Sequence, residues 1–262
     1  MKLGHVVVSV NDHPKYFGFV PVFAAAWRFF YPSIKLHIIY TGISNERLLT
    51  LKHFFDEVEC LPLTNFADSV MAAQIARIYY PGMIKSDDFI VTTDIDLIPL
   101  SGHYYLNVVS NYQSDSFIVM RNVVAQYKEL PIGYNVATSK TWRDIFGVKN
   151  QSDLQDQIKS DLAKVLHNGI HGGRGWTHDQ RHLWESVMVN RDQWDPDRER
   201  LILLQDDDPG ISFARLDREQ EGSLYYFLNT DWTTLSLQFK DYHMPLISEG
   251  NVGRVLDKFG AI

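Results

Sequence analysis

The chain has 262 residues, 45% hydrophobic and 13% aromatic, enough to bury a sizeable core. Its 25 Lys and Arg against 32 Asp and Glu give a net charge of −7, which excludes a large basic face for nucleic acid but not a local basic pocket. The single Cys60 forbids an internal disulfide or a cysteine zinc cluster; with no apolar leader and no run of about 18 apolar residues, the expectation is a soluble, cytoplasmic protein without a membrane span.

In chain order, Val6 to Val10 is a short β-branched run of the kind found in a strand buried on both faces, and Asn11-Asp12-His13-Pro14 ends it. Tyr16 to Tyr31 carries aromatic and aliphatic residues at helical spacing, closed by Pro32. Lys35 to Tyr40 predicts a second strand, stopped at Thr41-Gly42. Ser44 then caps a helix reaching about Phe55. Glu57 to Leu61 predicts a third strand, and Asp68 to Tyr80 a helix that stops at Pro81-Gly82. Strands alternating with helices predict an α/β fold with a mainly parallel sheet flanked by helices.

The fourth strand leads into Thr92-Thr93-Asp94-Ile95-Asp96-Leu97-Ile98-Pro99. Alternate residues of an extended chain point to one side, so Asp94 and Asp96 are expected to aim together beyond the strand end. Two hard oxygen ligands there suit Mg²⁺ or Mn²⁺ holding a substrate's phosphates. Two other acidic groups, Asp195-Pro196-Asp197 and Asp206-Asp207-Asp208, sit near Pro196 and Pro209 in turn-like surroundings and read as solvated acids.

Beyond residue 100 the rhythm changes. His103 to Asn111 predicts a helix, and Ser116 to Arg121 and Ile132 to Thr138 predict strands. Ser139 to Phe146, Ser152 to His167 and Thr177 to Asn190 predict helices, with a flexible His171-Gly172-Gly173-Arg174-Gly175 loop before the last. A charge-rich stretch from Asp192 to Gln220 holds one strand-like run, Leu201 to Leu204. Tyr225 to Leu228 and Leu235 to Phe239 read as late strands. The economical division is one domain over 1–262, with a nucleotide-binding half to residue 100 and an elaborated second half.

Ligands of open α/β sheets sit outside the carboxyl ends of the strands. If the first and fourth strands are neighbours, Asn11 and Asp12 can bond a base or ribose while Tyr16 stacks on the base; a plain turn is the alternative for these residues. Arg77 lies on an otherwise apolar helix side and needs a carboxylate or phosphate, Asp94 being one partner. Gly133 and Asn135 within an apolar strand suggest close approach of a ligand or else a bulge. Thr177 is a candidate cap for a helix whose first turn holds Asp179 and Gln180, and Asp179 can orient or deprotonate an acceptor hydroxyl. His178 and His182 have a zinc-compatible spacing but lack the glutamate of the metalloprotease pattern. His243 precedes the segment Ser248 to Arg254, read as a loop over the nucleotide, and can complete a Mn²⁺ site with the aspartates.

Taken in order, these residues resemble the GT-A fold glycosyltransferases, and most of all glycosyltransferase family 8, from Val6 to about Val189 and again at His243. Asn11-Asp12 is similar to that family's uracil-binding start, Arg77 followed by Tyr79-Tyr80-Pro81 to the stretch before its Asp-x-Asp, and His178-Asp179-Gln180 to the helix start lining the donor sugar. The resemblance implies a UDP-sugar donor contacted by Asn11, Asp12, Tyr16, Arg77, Thr93, Ile95 and Asn135. It implies Mn²⁺ (or Mg²⁺) on Asp94, Asp96 and His243, catalytic roles for Asp179 and Gln180, and a glycan, glycoprotein or glycolipid acceptor. The family's tail lysine for phosphate is absent, which leaves Arg254 or Lys258 to replace it. Family 8 retains the anomeric configuration, whereas Asp179 acting as a base would invert it. Two rival readings share the Asp-x-Asp. A haloacid dehalogenase-type phosphatase carries it on the first strand, and here three strand-like runs precede it. A sugar-nucleotide nucleotidyltransferase begins with a Gly-rich phosphate loop, which Val10 to Pro14 does not resemble.

Overall fold

The computed structural model describes residues 2–61, 68–165, 172–194, 200–208 and 211–261; the predicted features at His167, His171, Asp195, Asp197 and Pro209 lie outside these. β1 (Leu3–Val10) leads through α1 (Pro14–Phe17) into α2 (Val20–Phe30). β2 (Lys35–Tyr40), α3 (Asn45–Phe54), β3 (Glu57–Cys60), α4 (Ser69–Tyr79) and β4 (Phe89–Thr92) follow. Next come β5 (Leu97–Pro99), α5 (Tyr104–Ser110), β6 (Phe117–Val119), β7 (Asn135–Thr138), α6 (Ser139–Phe146), α7 (Gln151–Lys164) and α8 (His178–Arg191). The chain continues through β8 (Leu201–Leu203), β9 (Arg215–Asp217), α9 (Ser223–Asn229), α10 (Trp232–Gln238), β10 (Asp241–His243) and α11 (Glu249–Lys258).

The local signals act as read for most of the first hundred residues. Ser44 caps α3 by accepting the Arg47 N–H at 3.3 Å, and Asp68 caps α4 by accepting the Val70 and Met71 N–H groups at 3.0 Å. The one helix predicted over Tyr16 to Tyr31 is two, because Pro14 starts α1 and Pro21 lies in the first turn of α2.

The main sheet has seven strands in the order β3-β2-β1-β4-β7-β6-β8, with only β7 running against the rest. Every residue of β1 is buried: Val6, Val8 and Val10 face one apolar layer and Val7 the other. That two-sided burial is why the strand reads as a continuous apolar run. A second sheet, in the order β5-β10-β9, sits beside the first. No helix among the described residues is long and apolar enough to cross a membrane.

The C-terminal region differs from expectation. Tyr225 to Leu228 and Leu235 to Phe239, predicted as strands, lie largely in helices α9 and α10. Their aromatic and aliphatic residues raise β-propensity, but the packing is one-sided, with Phe227 and Leu235 fully buried and Tyr225 and Leu237 mostly exposed. The predicted Ser248 to Arg254 loop is the cap and first half of α11.

Behind the first strands, His5 Nδ1 and His37 Nε2 lie 2.9 Å apart in the core, with the Tyr80 hydroxyl 3.3 Å from His37 Nδ1. Burial, with the His5 charge second, pushes the His37 pKa down from 6.5 to about 3. The folded state therefore keeps His37 neutral where the unfolded chain takes up a proton. Stability from this site is complete above pH 6.5 and is lost as pH falls from there towards 3, at up to about 1.4 kcal/mol per pH unit. Urea titrations at pH 7.5 and 4.5 should show wild type losing more stability on acidification than His37→Leu; parallel losses would rule the pair out as the cause.

Candidate active site

β1 and β4 are parallel neighbours, with Val6 beside Val91 and Val7 beside Thr92, so the chain leaves both strands at the same edge of the sheet. A cleft of about 300 Å³ opens there. Asn11 and Tyr16 line it from the β1 side; Asp94, Ile95 and Asp96 line it from the β4 side; Arg77, Asp179, Gln180 and His243 arrive from α4, α8 and β10.

The aspartate pair is not presented as an extended strand would present it. β4 ends at Thr92, and Ile95 and Asp96 form a turn into β5, so backbone curvature rather than strand alternation directs the carboxylates. Asp94 meets the Arg77 guanidinium and keeps 38% of its side chain open. Gly133 stands against this turn: a Cβ there would lie 2.8 Å from Leu97 Cδ1 and 3.2 Å from Asp94 Oδ2. The glycine thus lets Leu97 and the Asp94 carboxylate pack close to the cleft wall that it forms.

Arg77 bridges two acids. Besides Asp94 it bonds Asp179 Oδ2 at 3.1 Å through Nη2, and its Nε is buried without a partner. Burial works against the guanidinium charge, but the two carboxylates outweigh it and raise its pKa. Asp179 is 2% exposed at the start of α8, and its Oδ1 accepts the Gln180 N–H at 2.9 Å. Burial pushes its carboxyl above the ordinary range, and Arg77 offsets that only in part. Thr177 does not cap α8 with its side chain; its hydroxyl donates to Glu129 Oε1 at 2.8 Å. His182 lies 2.8 Å from the Tyr79 hydroxyl and 3.6 Å from Asp161, in a layer behind the cleft.

The small sheet assembles the opposite wall. β10 runs antiparallel to β5, with His243 beside Leu97, and parallel to β9, with His243 beside Asp217. His243 Nε2 therefore faces Asp96 Oδ2 at 3.5 Å and Nδ1 faces Asp217 Oδ2 at 3.4 Å. Burial lowers the His243 pKa, but Asp96 outweighs it and raises it overall. Asp96 is itself held below the usual carboxylate range, because His243 and Arg218, the latter at 3.1 Å, overcome the effect of burial.

An imidazole between two carboxylates needs a proton or a cation on each side. A metal-ligating histidine donates one ring N–H to a carboxylate, as Nδ1 is placed to do to Asp217, and leaves the other nitrogen for the ion. The donor set of carboxylates and imidazole suits Mn²⁺ or Mg²⁺. As they lie, no three such groups among the described residues are close enough to grip an ion, and Asp94 is paired with Arg77. The pair Asp96 and His243, oriented by Asp217, is the part that stands ready.

Four predicted donor residues lie outside the cleft lining. The Asp12 carboxylate closes the β1–β2 loops, taking the Tyr40 hydroxyl and the Ile43 N–H. Thr93 is buried, its hydroxyl unpartnered. The Asn135 amide turns back onto the Pro131 and Ile132 carbonyls at 2.6 and 3.1 Å. Arg254 points outward on α11, and Lys258 donates to the Thr230 carbonyl at 2.7 Å. Conversely, Arg121, Arg215 and Arg218 line the cleft unforeseen. Arg121 had a signal, since it ends a predicted strand. Arg215, Asp217 and Arg218 lie on or just after a three-residue strand, too short to show a period.

With this geometry in hand, solved structures can be compared. The galactosyltransferase LgtC in complex with donor and acceptor sugar analogs is similar over 98% of this chain and 96% of its own, at 13% identity and a TM-score of 0.51. An active-site glutamine-to-glutamate mutant of LgtC superposes equally well, with a TM-score of 0.51 at 12% identity over 98% of this chain and 95% of its own. The fold is GT-A. The bifunctional glycosyltransferase WbbM gives a TM-score of 0.52 at 10% identity over 98% of this chain. GlyE of Streptococcus pneumoniae TIGR4 gives 0.50 at 13% identity over 95% of it. The chain spans half of WbbM and 55% of GlyE. No protein-family model and no curated protein sequence matches it.

Proposed function

We propose that this protein is a glycosyltransferase moving a sugar from a UDP-sugar to a hydroxyl of a glycan, glycoprotein or glycolipid, with a divalent cation, Mn²⁺ or Mg²⁺, on Asp94, Asp96 and His243. One observation carries the reading: residues from β1, α4, the β4–β5 turn, α8 and β10, far apart in sequence, line a single cleft at the strands' carboxyl edge. A GT-A fold shared with LgtC supports it.

In this reading Tyr16 holds the base by its ring, and Asn11 lies beside it, its amide bonded to Ser69 Oγ at 3.2 Å and to the His13 N–H at 2.9 Å. A cation bound at the acids supplies charge neutralisation to the departing diphosphate. Arg77 bonds both Asp94 and Asp179 and fixes the two carboxylates in place. Asp179, with its raised pKa, is suited to hold the acceptor's proton or to order its hydroxyl. Gln180 faces the sugar from the adjoining position. A haloacid dehalogenase-type phosphatase carries its Asp-x-Asp on the first strand, whereas here it follows the fourth, β4.

Calorimetry with UDP tests the proposal. UDP should bind in the presence of Mn²⁺ and lose affinity in EDTA, and Asp96→Ala or His243→Ala should abolish the metal-dependent part. Equal affinity for UDP with and without Mn²⁺ would remove the metal from the mechanism.

A further inference from the structure

Among the described residues, four arginines line the cleft, and they are not equally engaged. Arg77 is spent between Asp94 and Asp179. Arg121 grips Asp206 through three bonds of 2.8 to 3.1 Å and lies 4.5 Å from the Phe213 ring centre. Arg215 makes two bonds, 3.1 and 3.2 Å, to the fully buried Asp241, over the Tyr134 ring. Arg218 bonds Asp96 Oδ2 through Nη1 at 3.1 Å, and at 31% its side chain is the most exposed of the four.

We infer that Arg218 is the protein's diphosphate-binding cation, standing on Asp96 until the donor arrives and then passing to the phosphates. The inference rests on the UDP-sugar reading above and assigns the role that the tail residues Arg254 and Lys258 are not placed to fill. Position supports it. Arg218 follows Asp217, which pairs with His243 across β9 and β10, so it lines the cleft beside the candidate cation site. Chemistry supports it too. A guanidinium fork matches phosphate oxygens with two parallel bonds, and only one of its nitrogens is used on Asp96. Asp96 is a single buried carboxylate, so Arg218 and a divalent cation compete for it when no donor is present. With a diphosphate in place Arg218 has an anion of its own, and the competition ends.

Titration of wild type, Arg218→Gln, Arg218→Lys and Arg254→Ala with uridine, UMP and UDP in Mn²⁺, and with Mn²⁺ alone, tests this. Arg218→Gln should lose UDP affinity by about 10- to 100-fold, the worth of a charged hydrogen-bonded contact. It should keep uridine affinity, which also shows that it is folded, and should bind Mn²⁺ alone more tightly than wild type. Arg218→Lys should recover part of the UDP loss, and Arg254→Ala should match wild type. Wild-type UDP affinity in Arg218→Gln, or weaker Mn²⁺ binding by it, overturns the role of Arg218 while leaving the UDP-sugar reading intact. A wild-type protein that binds neither uridine nor UDP overturns both.

Discussion

Arg77→Met should lower the unfolding free energy at pH 7.5 by about 3–5 kcal/mol, the usual cost of leaving buried charge unpaired. Methionine keeps most of the apolar stem inside α4 and removes only the guanidinium. Asp94 is open enough to be hydrated, but Asp179, 2% exposed, is not. Its carboxyl, already raised by burial, must rise further once Arg77 no longer offsets that effect. The sign of the pH dependence follows. A carboxyl with a folded pKa above its unfolded value binds more protons in the fold, so the variant regains stability as pH falls. The gap to wild type should therefore narrow between pH 7.5 and 5, and Arg77→Met with Asp179→Asn should recover part of the loss. Urea midpoints at the two pH values measure both effects. A variant as stable as wild type at pH 7.5 would show that the bridge is not what holds α4, the β4–β5 turn and α8 together.

Asp179→Asn alone should leave UDP affinity within about threefold of wild type yet cut transfer by about 10²- to 10⁴-fold, the range of a lost general acid or base. The amide keeps the shape and can still accept the Gln180 N–H, while Arg77 retains Asp94 as a partner. What is lost is a charged oxygen and the capacity to hold a proton. Steady-state kcat and KM, set beside calorimetric UDP binding, separate chemistry from donor affinity. Full transfer by this variant would take Asp179 out of the mechanism. The anomeric configuration of the wild-type product then divides the two routes left open by the residues: inversion fits Asp179 as the base, and retention fits Asp179 as a group that orders the sugar or the acceptor.

The residues legible in advance share a physical property: each sits where a strong local signal coincides with a sheet edge. Asn11 follows a run buried on both faces, Asp94 and Asp96 follow another, and Asp179 and Gln180 open a helix after a glycine-rich stretch. His243 was legible as a candidate ligand but not as a strand residue. Local bonding could not be read in advance. Asp12 and Asn135 have short polar side chains that bond groups close by and lie outside the cleft lining. The strands predicted at Tyr225 and Leu235 failed because aromatic runs cannot reveal which half of the side chains will be buried.

By itself, the order of residues determined the alternating first half, the mainly parallel sheet and the acidic pair just past its fourth strand, because strands buried on both sides must be written as unbroken apolar runs. The tertiary structure alone decided the partners of those acids. A three-stranded sheet of three-residue strands brings Asp96, His243, Asp217 and Arg218 together over more than a hundred residues of chain, and α4 carries Arg77 to two carboxylates at once. Strands that short have no period to read, and the pairing of buried charges depends on which neighbours remain once water is excluded.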